Sequence, residues 1–243
     1  MTTTAEIART DPDFARIEAR FAAEVRAHGS MDDRERALCV LSALIALGET
    51  DEFALQLDEA LNGALSPVEA RELVYQSAAY LGFARARVFL AAANGVFAAR
   101  GISLPREQEA PDAADRLEAG ARVQAALFGE ETADFWQYGP EETRHLGRMM
   151  VENCFGDFYS RGILSLKDRE LAAFCTLAAL GGGAQLKVRV VAGYAAGNDR
   201  AALISALTQL VPFIGWTRVL NALAILTETD KELNDDGYDE DTF

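Results

Sequence analysis

The chain has 243 residues, half of them hydrophobic and a quarter charged, with a formal net charge of −15. That length can bury a substantial core as one large domain or two small ones. The acidity excludes nonspecific attraction to nucleic acid or to an anionic membrane surface.

The N-terminal stretch "MTTTAEIARTDPDFARIEAR" lacks the apolar core of a signal peptide. No later segment reads as a uniformly apolar membrane span, so a cytoplasmic protein is expected. Helical periodicity dominates from there on and strand alternation is nearly absent, which predicts an all-α fold. "DRERALCVLSAL" reads as a helix, and the "SPVE" of the turn "NGALSPVEA" reads as the start of the next, with proline at its first position. "LPREQEAPDAADRLEAG" is a proline-punctuated polar connection that leads into another helix. In "DRELAAFCTLAAL", Leu171, Phe174, Cys175 and Ala178 share a helical face. In "ALISALTQLVPFIGW", Ile204, Leu207, Leu210, Val211 and Ile214 do the same, and Pro212 is expected to kink or end that helix before Gly215. The tail "ETDKELNDDGYDEDTF" holds eight acids against one lysine and reads as a solvated, poorly ordered end. Cys39, Cys154 and Cys175 include no CxxC pair; each reads as a small buried hydrophobe rather than a disulfide or zinc ligand. No cluster has metal-ligand spacing and no glycine-rich loop follows a strand, so neither a metal nor a cofactor is expected.

The chain contains one unit twice. "VYQSAAYLGFAR" aligns with "LTQLVPFIGWTR" at an offset of 133 residues, pairing Gln76 with Gln209, Tyr80 with Phe213, Gly82 with Gly215 and Phe83 with Trp216. Upstream, "DRERALCVLSAL" aligns with "DRELAAFCTLAAL" if a small length change follows in the loop. The predicted division is a first repeat over 1–110, a second over 111–228 and an acidic tail over 229–243. Duplicated units usually pack about a pseudo-twofold axis, and a pocket is expected between facing helices.

The stretches "QLKVRVVAGYAAGN…LTQLVPFIGWTRVLNAL", "SPVEARELVYQSAAYLGF" and "FGDFYSRGILSLKDREL" together resemble the carboxymuconolactone decarboxylase family, which shares the alkyl hydroperoxidase D-like fold. The resemblance implies an all-α bundle, two tandem repeats, and assembly into a homo-oligomer, a trimer or a larger ring. Peroxidase-like members of the family use a CxxC thiol pair, which this sequence lacks, so thiol peroxidase activity is not expected. Decarboxylase members keep a histidine after "QLK"; here the run is Gln185, Leu186, Lys187, Val188, Arg189, and Arg189 stands in its place. The only histidines, His28 and His145, lie outside the motif.

The resemblance thus selects Arg189 and Glu170 as catalytic candidates. Arginine stays protonated and cannot shuttle a proton, but its planar fork can hold a carboxylate or a developing oxyanion. Glu170 would move the proton, its charge state set by Arg189. Each also has a structural reading: a solvated or ion-paired Arg189, and a Glu170 that merely pairs with it or faces solvent. Gln56, at the offset from Arg189, is a candidate pocket donor. Tyr80 and Trp216 read first as core or interface aromatics and second as substrate-binding groups, Trp216 as a pocket wall, and His145 beside Arg144 and Arg148 is a further substrate-binding candidate. The expected activity is a cofactor-independent lyase, isomerase or cyclase step on a small carbonyl-bearing or anionic molecule, in a specialised biosynthetic pathway. The alternative is a non-catalytic oligomer that has lost the site and binds a small molecule or a protein.

Overall fold

The computed structural model describes residues 4–104, 111–112 and 114–235, and every regular element among them is helical. α1 (Thr4–Thr10) and α2 (Pro12–Arg26) precede α3 (Asp33–Leu47), α4 (Thr50–Ala60) and α5 (Pro67–Ala99). α6 (Arg116–Phe128) and α7 (Glu141–Met150) follow, and α7 runs on into a π-helical segment, Val151–Tyr159. α8 (Leu166–Leu180), α9 (Gly183–Ala195) and α10 (Arg200–Asp235) complete the chain. The polar connection does lead into a helix, α6, but residues 105–110 and 113, next to the predicted 110/111 boundary, lie outside the described residues.

α3 and α8 form the centre. Each opens with a capping box, Asp32 with Glu35 and Ser165 with Asp168, in which side chain and backbone exchange hydrogen bonds across the first turn. Each runs fifteen residues and stops at a left-handed glycine, Gly48 (φ 87°) and Gly181 (φ 74°). Between those signals almost every side chain is buried, from Ala37 to Ala46 and from Asp168 to Ala179. A helix that is apolar on all sides belongs in the middle of a domain, and α3 and α8 pack against each other there.

These matching caps correct the predicted alignment. The offset of 133 residues holds from Asp32/Ser165 through Gly48/Gly181 to Gly82/Gly215, with no length change in the loop. Cys39 and Cys175 are therefore not equivalent positions, and the counterpart of Glu170 is Ala37. The halves also interlock: α5 crosses to α8, and α10 crosses to α3. Gln76 on α5 accepts from Arg169 Nη1 (3.0 Å) and donates to the Arg169 carbonyl (2.8 Å). Its counterpart Gln209 accepts from Arg36 Nε (3.2 Å), and Arg36 is the counterpart of Arg169. One continuous core drawn from both halves results, as a pseudo-twofold exchange of long helices requires.

Each long helix is bent at its glycine. Gly82 (φ 79°, ψ 156°) and Gly215 (φ 79°, ψ 163°) sit in a backbone region that is essentially reserved for glycine. α10 passes through Pro212 as helix, so the interruption that Pro212 was expected to cause falls at Gly215 instead. Gly215→Ala is expected to destabilise the fold by about 1–3 kcal/mol, read from the midpoint of urea unfolding. Open space surrounds the site of the added Cβ, so a wild-type midpoint would show that the backbone relaxes without cost.

Two further expectations change. α5 and α10 each contain a stretch long and apolar enough to cross a membrane by length and composition alone, with mean hydropathy 1.2 and 1.5; the alternation of apolar runs with single polar residues hid this in the sequence. The acidic tail is not loose over its whole length, because α10 continues to Asp235. Thr229 is buried, Asp230 pairs with Arg200 (2.7 Å), and Lys187 pairs with Glu232. Residues 236–243 lie outside the described residues.

Candidate functional site

Glu170 stands in the second turn of α8, fully buried, and α9 brings Arg189 across from it, 8% exposed. Arg189 Nη1 donates to both carboxylate oxygens of Glu170, at 2.9 and 3.2 Å. The sequence separation is 19 residues, the length of a helix remainder, the Gly181–Gly183 turn and two turns of α9. The two catalytic candidates are thus brought together.

Tyr80 arrives from the other half, on α5 just before the Gly82 bend. Its hydroxyl lies 2.5 Å from that of Tyr159, which ends the π-helical segment. The Arg189 guanidinium lies over the Tyr80 ring (5.9 Å) and over the Phe128 ring (5.5 Å), in cation–π contact with both. Phe128 comes from the last residue of α6, which packs backbone against backbone on the π-helical segment. A Cβ added at Gly120 would meet the Val151 carbonyl oxygen at 2.1 Å, and one at Gly156 would meet the Arg116 carbonyl oxygen at 2.3 Å. Only glycine permits that approach, and it lets α6 close over the site.

The electrostatics follow from burial. Desolvation pushes the Glu170 carboxyl above its ordinary value, opposed by the Arg189 charge and by a hydrogen bond from Tyr159. Burial disfavours the Arg189 charge, but Tyr80, Glu170, Tyr159 and Cys154 around it outweigh this and keep the guanidinium protonated. Burial likewise raises both tyrosines, so their hydroxyls stay neutral donors. The Cys154 thiol is pushed up to about 12 by burial, with Arg189 opposing. A thiol in that state is a poor nucleophile. Cys39 and Cys175 are buried in the core. Arg189 Nε is buried with no hydrogen-bond partner among the described residues. The assembly is a buried carboxyl beside a fixed cation and two tyrosine hydroxyls, a set of groups that can stabilise an oxyanion and exchange a proton with a carbon acid.

The remaining candidates are not brought to this place. Gln56, half-buried on α4, donates to Glu52 (2.9 Å) and lines a separate cavity of about 610 Å³ in the first half. Its position is the pseudo-twofold counterpart of Arg189, so it sits on the opposite side of the core. Trp216 is 59% exposed after the Gly215 bend, stacks obliquely on Phe21 (6.0 Å) and lines an apolar groove of about 350 Å³. His145 faces solvent on α7. Tyr80 alone of the four substrate-binding candidates belongs to the Glu170–Arg189 cluster, with its ring under the Arg189 guanidinium. Sequence reasoning missed Tyr159, Cys154 and Phe128. Nothing in the sequence marked the π-helical winding, and the offset of 133 residues gives α6 no counterpart in the first half.

A search of curated proteins finds no match to this chain. Residues 12–95 and 144–228 each match the sequence profile of the carboxymuconolactone decarboxylase family, most of the chain in two successive copies, and the chain therefore belongs to that family.

Proposed function

We propose that the chain is a cofactor-independent enzyme that moves a proton on a small carbonyl-bearing or anionic molecule, acting as a lyase, isomerase or cyclase. The observation that carries this reading is the fully buried Glu170 carboxyl held by Arg189 next to the Tyr80–Tyr159 hydroxyl pair. Glu170 takes or gives the proton. Arg189, with the tyrosine hydroxyls, holds the oxygen on which negative charge develops. No histidine takes part: the residue at the family's histidine position is an arginine, and the acid–base role passes to the carboxyl next to it in space. The test is deuterium incorporation from D2O into small lactone acids and β-keto acids, followed by NMR with the wild-type protein and with Glu170→Gln. Enzyme-dependent exchange lost in the variant supports the reading, and equal exchange with both proteins counts against it.

A second reading has its own observation. Glu170 is satisfied by Arg189, whose guanidinium lies over the Phe128 ring, which is the arrangement of a site retained as a structural ion pair. In that case the protein is a non-catalytic helical oligomer, and no carbon acid exchanges in its presence.

The oligomer belongs to both readings. Phe83 and Val88 on α5, and Trp216 and Leu220 on α10, are each more than half exposed in the single chain, and large apolar surface of this kind favours burial against another subunit. The assembly proposed is a soluble, cytoplasmic trimer or larger ring. Light scattering should give a mass at least three times that of one chain, falling in Leu220→Glu; a monomeric wild type would remove the assembly.

A further inference from the structure

We propose that the first-half cavity beside Gln56 is a second binding site, separate from Glu170 and Arg189, for a small organic carboxylate. The cavity measures about 610 Å³; Arg36, Arg26 and Gln56 line it beside the carboxylates Asp32, Asp33 and Glu59, with Ala37, Val40 and Leu41 as its apolar wall. That volume suits a small organic ligand, and the wall suits an apolar body rather than a bare inorganic anion.

The charge comes from a broken symmetry. In the second half Arg169 is neutralised by Glu72, whose Oε1 accepts from Arg169 Nη2 at 2.9 Å. The offset of 133 residues carries Arg169 back to Arg36 and Glu72 forward to Ser205. Arg36 keeps the glutamine of the pair, Gln209, but has no carboxylate: among the described residues it forms no ion pair. The other cations of this cavity are already matched, Arg26 by Glu59 (2.6 Å) and Arg34 by Glu69 and Asp168. Burial and the like charge of Arg26 both disfavour the Arg36 cation, and Glu59 and Asp33 offset this only in part. A ligand carboxylate supplies what Ser205 cannot. Gln56 has one amide hydrogen engaged by Glu52 and a second free to reach the same ligand.

The place also differs from its counterpart in access. In the second half the corresponding ground is filled by Tyr159, the counterpart of Arg26, and covered by α6. In the first half it is open.

The test uses benzoate as the organic carboxylate, benzamide as its neutral isostere and sulfate as a bare anion, each titrated into the full-length protein with ligand-observed NMR. Saturable benzoate binding in the millimolar range or tighter is expected, with benzamide and sulfate at least tenfold weaker. Arg36→Gln should weaken benzoate at least tenfold. Because Arg36 also bonds Gln209, Gln56→Glu serves as a second variant that leaves this bond in place and sets a carboxylate against the ligand; it should have the same effect. No benzoate binding by a folded wild-type protein, sulfate binding equal to benzoate, or benzoate binding that is lost in Arg189→Gln but kept in both first-half variants would each overturn the assignment.

Discussion

Replacing Glu72 with alanine is expected to cost about 3–5 kcal/mol of folding stability, more than a typical core truncation, because the change leaves two buried cations without a counter-charge. Glu72 is 1% exposed. Its oxygens accept from Arg161 Nε at 2.8 and 2.9 Å and from Arg169 Nη2 at 2.9 Å, so one carboxylate serves two guanidinium groups. Arg169 is fully buried and Arg161 nearly so. The remaining bonds of Arg169, to Gln76 and to the Arg161 carbonyl, are neutral and cannot replace the lost charge. Glu72→Gln keeps an acceptor and should fall between the wild type and Glu72→Ala. Urea unfolding read by circular dichroism checks the order; equal midpoints for all three proteins would mean that water or backbone relaxation satisfies both arginines. The contrast is Asp13→Ala, which breaks an exposed helix-surface pair with Arg16 and should leave the midpoint almost unmoved.

This network also explains why the halves of the chain do not behave as two beads. Glu72 belongs to α5 and Arg169 to α8, so the ion pair crosses from the first repeat to the second. Arg169 further lies over the Tyr159 ring (5.8 Å), one of the two hydroxyl-bearing rings of the candidate site. Loss of Glu72 should therefore loosen Tyr159 as well as the fold.

Much of this was legible in the sequence wherever the repeat made a position visible twice. Gln76 and Gln209, Gly82 and Gly215 stand out because both copies keep them, and the physical demands are the same in both: a side-chain amide that accepts from the arginine of a central helix of the opposite half, and a backbone bend that only glycine allows. Glu170 and Arg189 were reached through the family resemblance, and their contact follows once α8 and α9 are joined by a short glycine turn. What stayed hidden lay where the copies differ. Glu72 faces a serine in the other copy, Tyr159 an arginine, and the sequence offers no sign of which side of the pseudo-twofold a residue serves. Gln56 shows the limit from the other side: the offset correctly pairs it with Arg189, and for that reason places it on the opposite side of the core. The π-helical segment was out of reach because a π turn and an α turn ask for nearly the same composition; its cause is tertiary, the close approach of α6 at Gly120 and Gly156.

Glu170→Gln is the second large effect. If Glu170 moves the proton, the variant should lose about 100- to 10,000-fold in turnover, the usual contribution of a positioned general acid or base. Deuterium incorporation measures it. Arg189→Lys should lose about 100-fold or more as well, because a compact ammonium cannot lay a planar face over the rings of Tyr80 and Phe128 while it reaches Glu170. A stability measurement separates this role from a merely structural one. Burial raises the folded-state pKa of Glu170 above the ordinary 4.5. The folded state then binds the proton more tightly than the unfolded state does, and stability attributable to this group is greatest below pH 4.5. It declines as pH rises from there through the raised value, and is constant beyond it. Glutamine does not titrate, so the stability of Glu170→Gln relative to wild type should improve across that same window. A relative stability that is flat with pH, or that worsens as pH rises, would mean that Glu170 is already an ordinary carboxylate locked in an ion pair. The group would then have no proton to give near neutrality, and the non-catalytic reading would take its place.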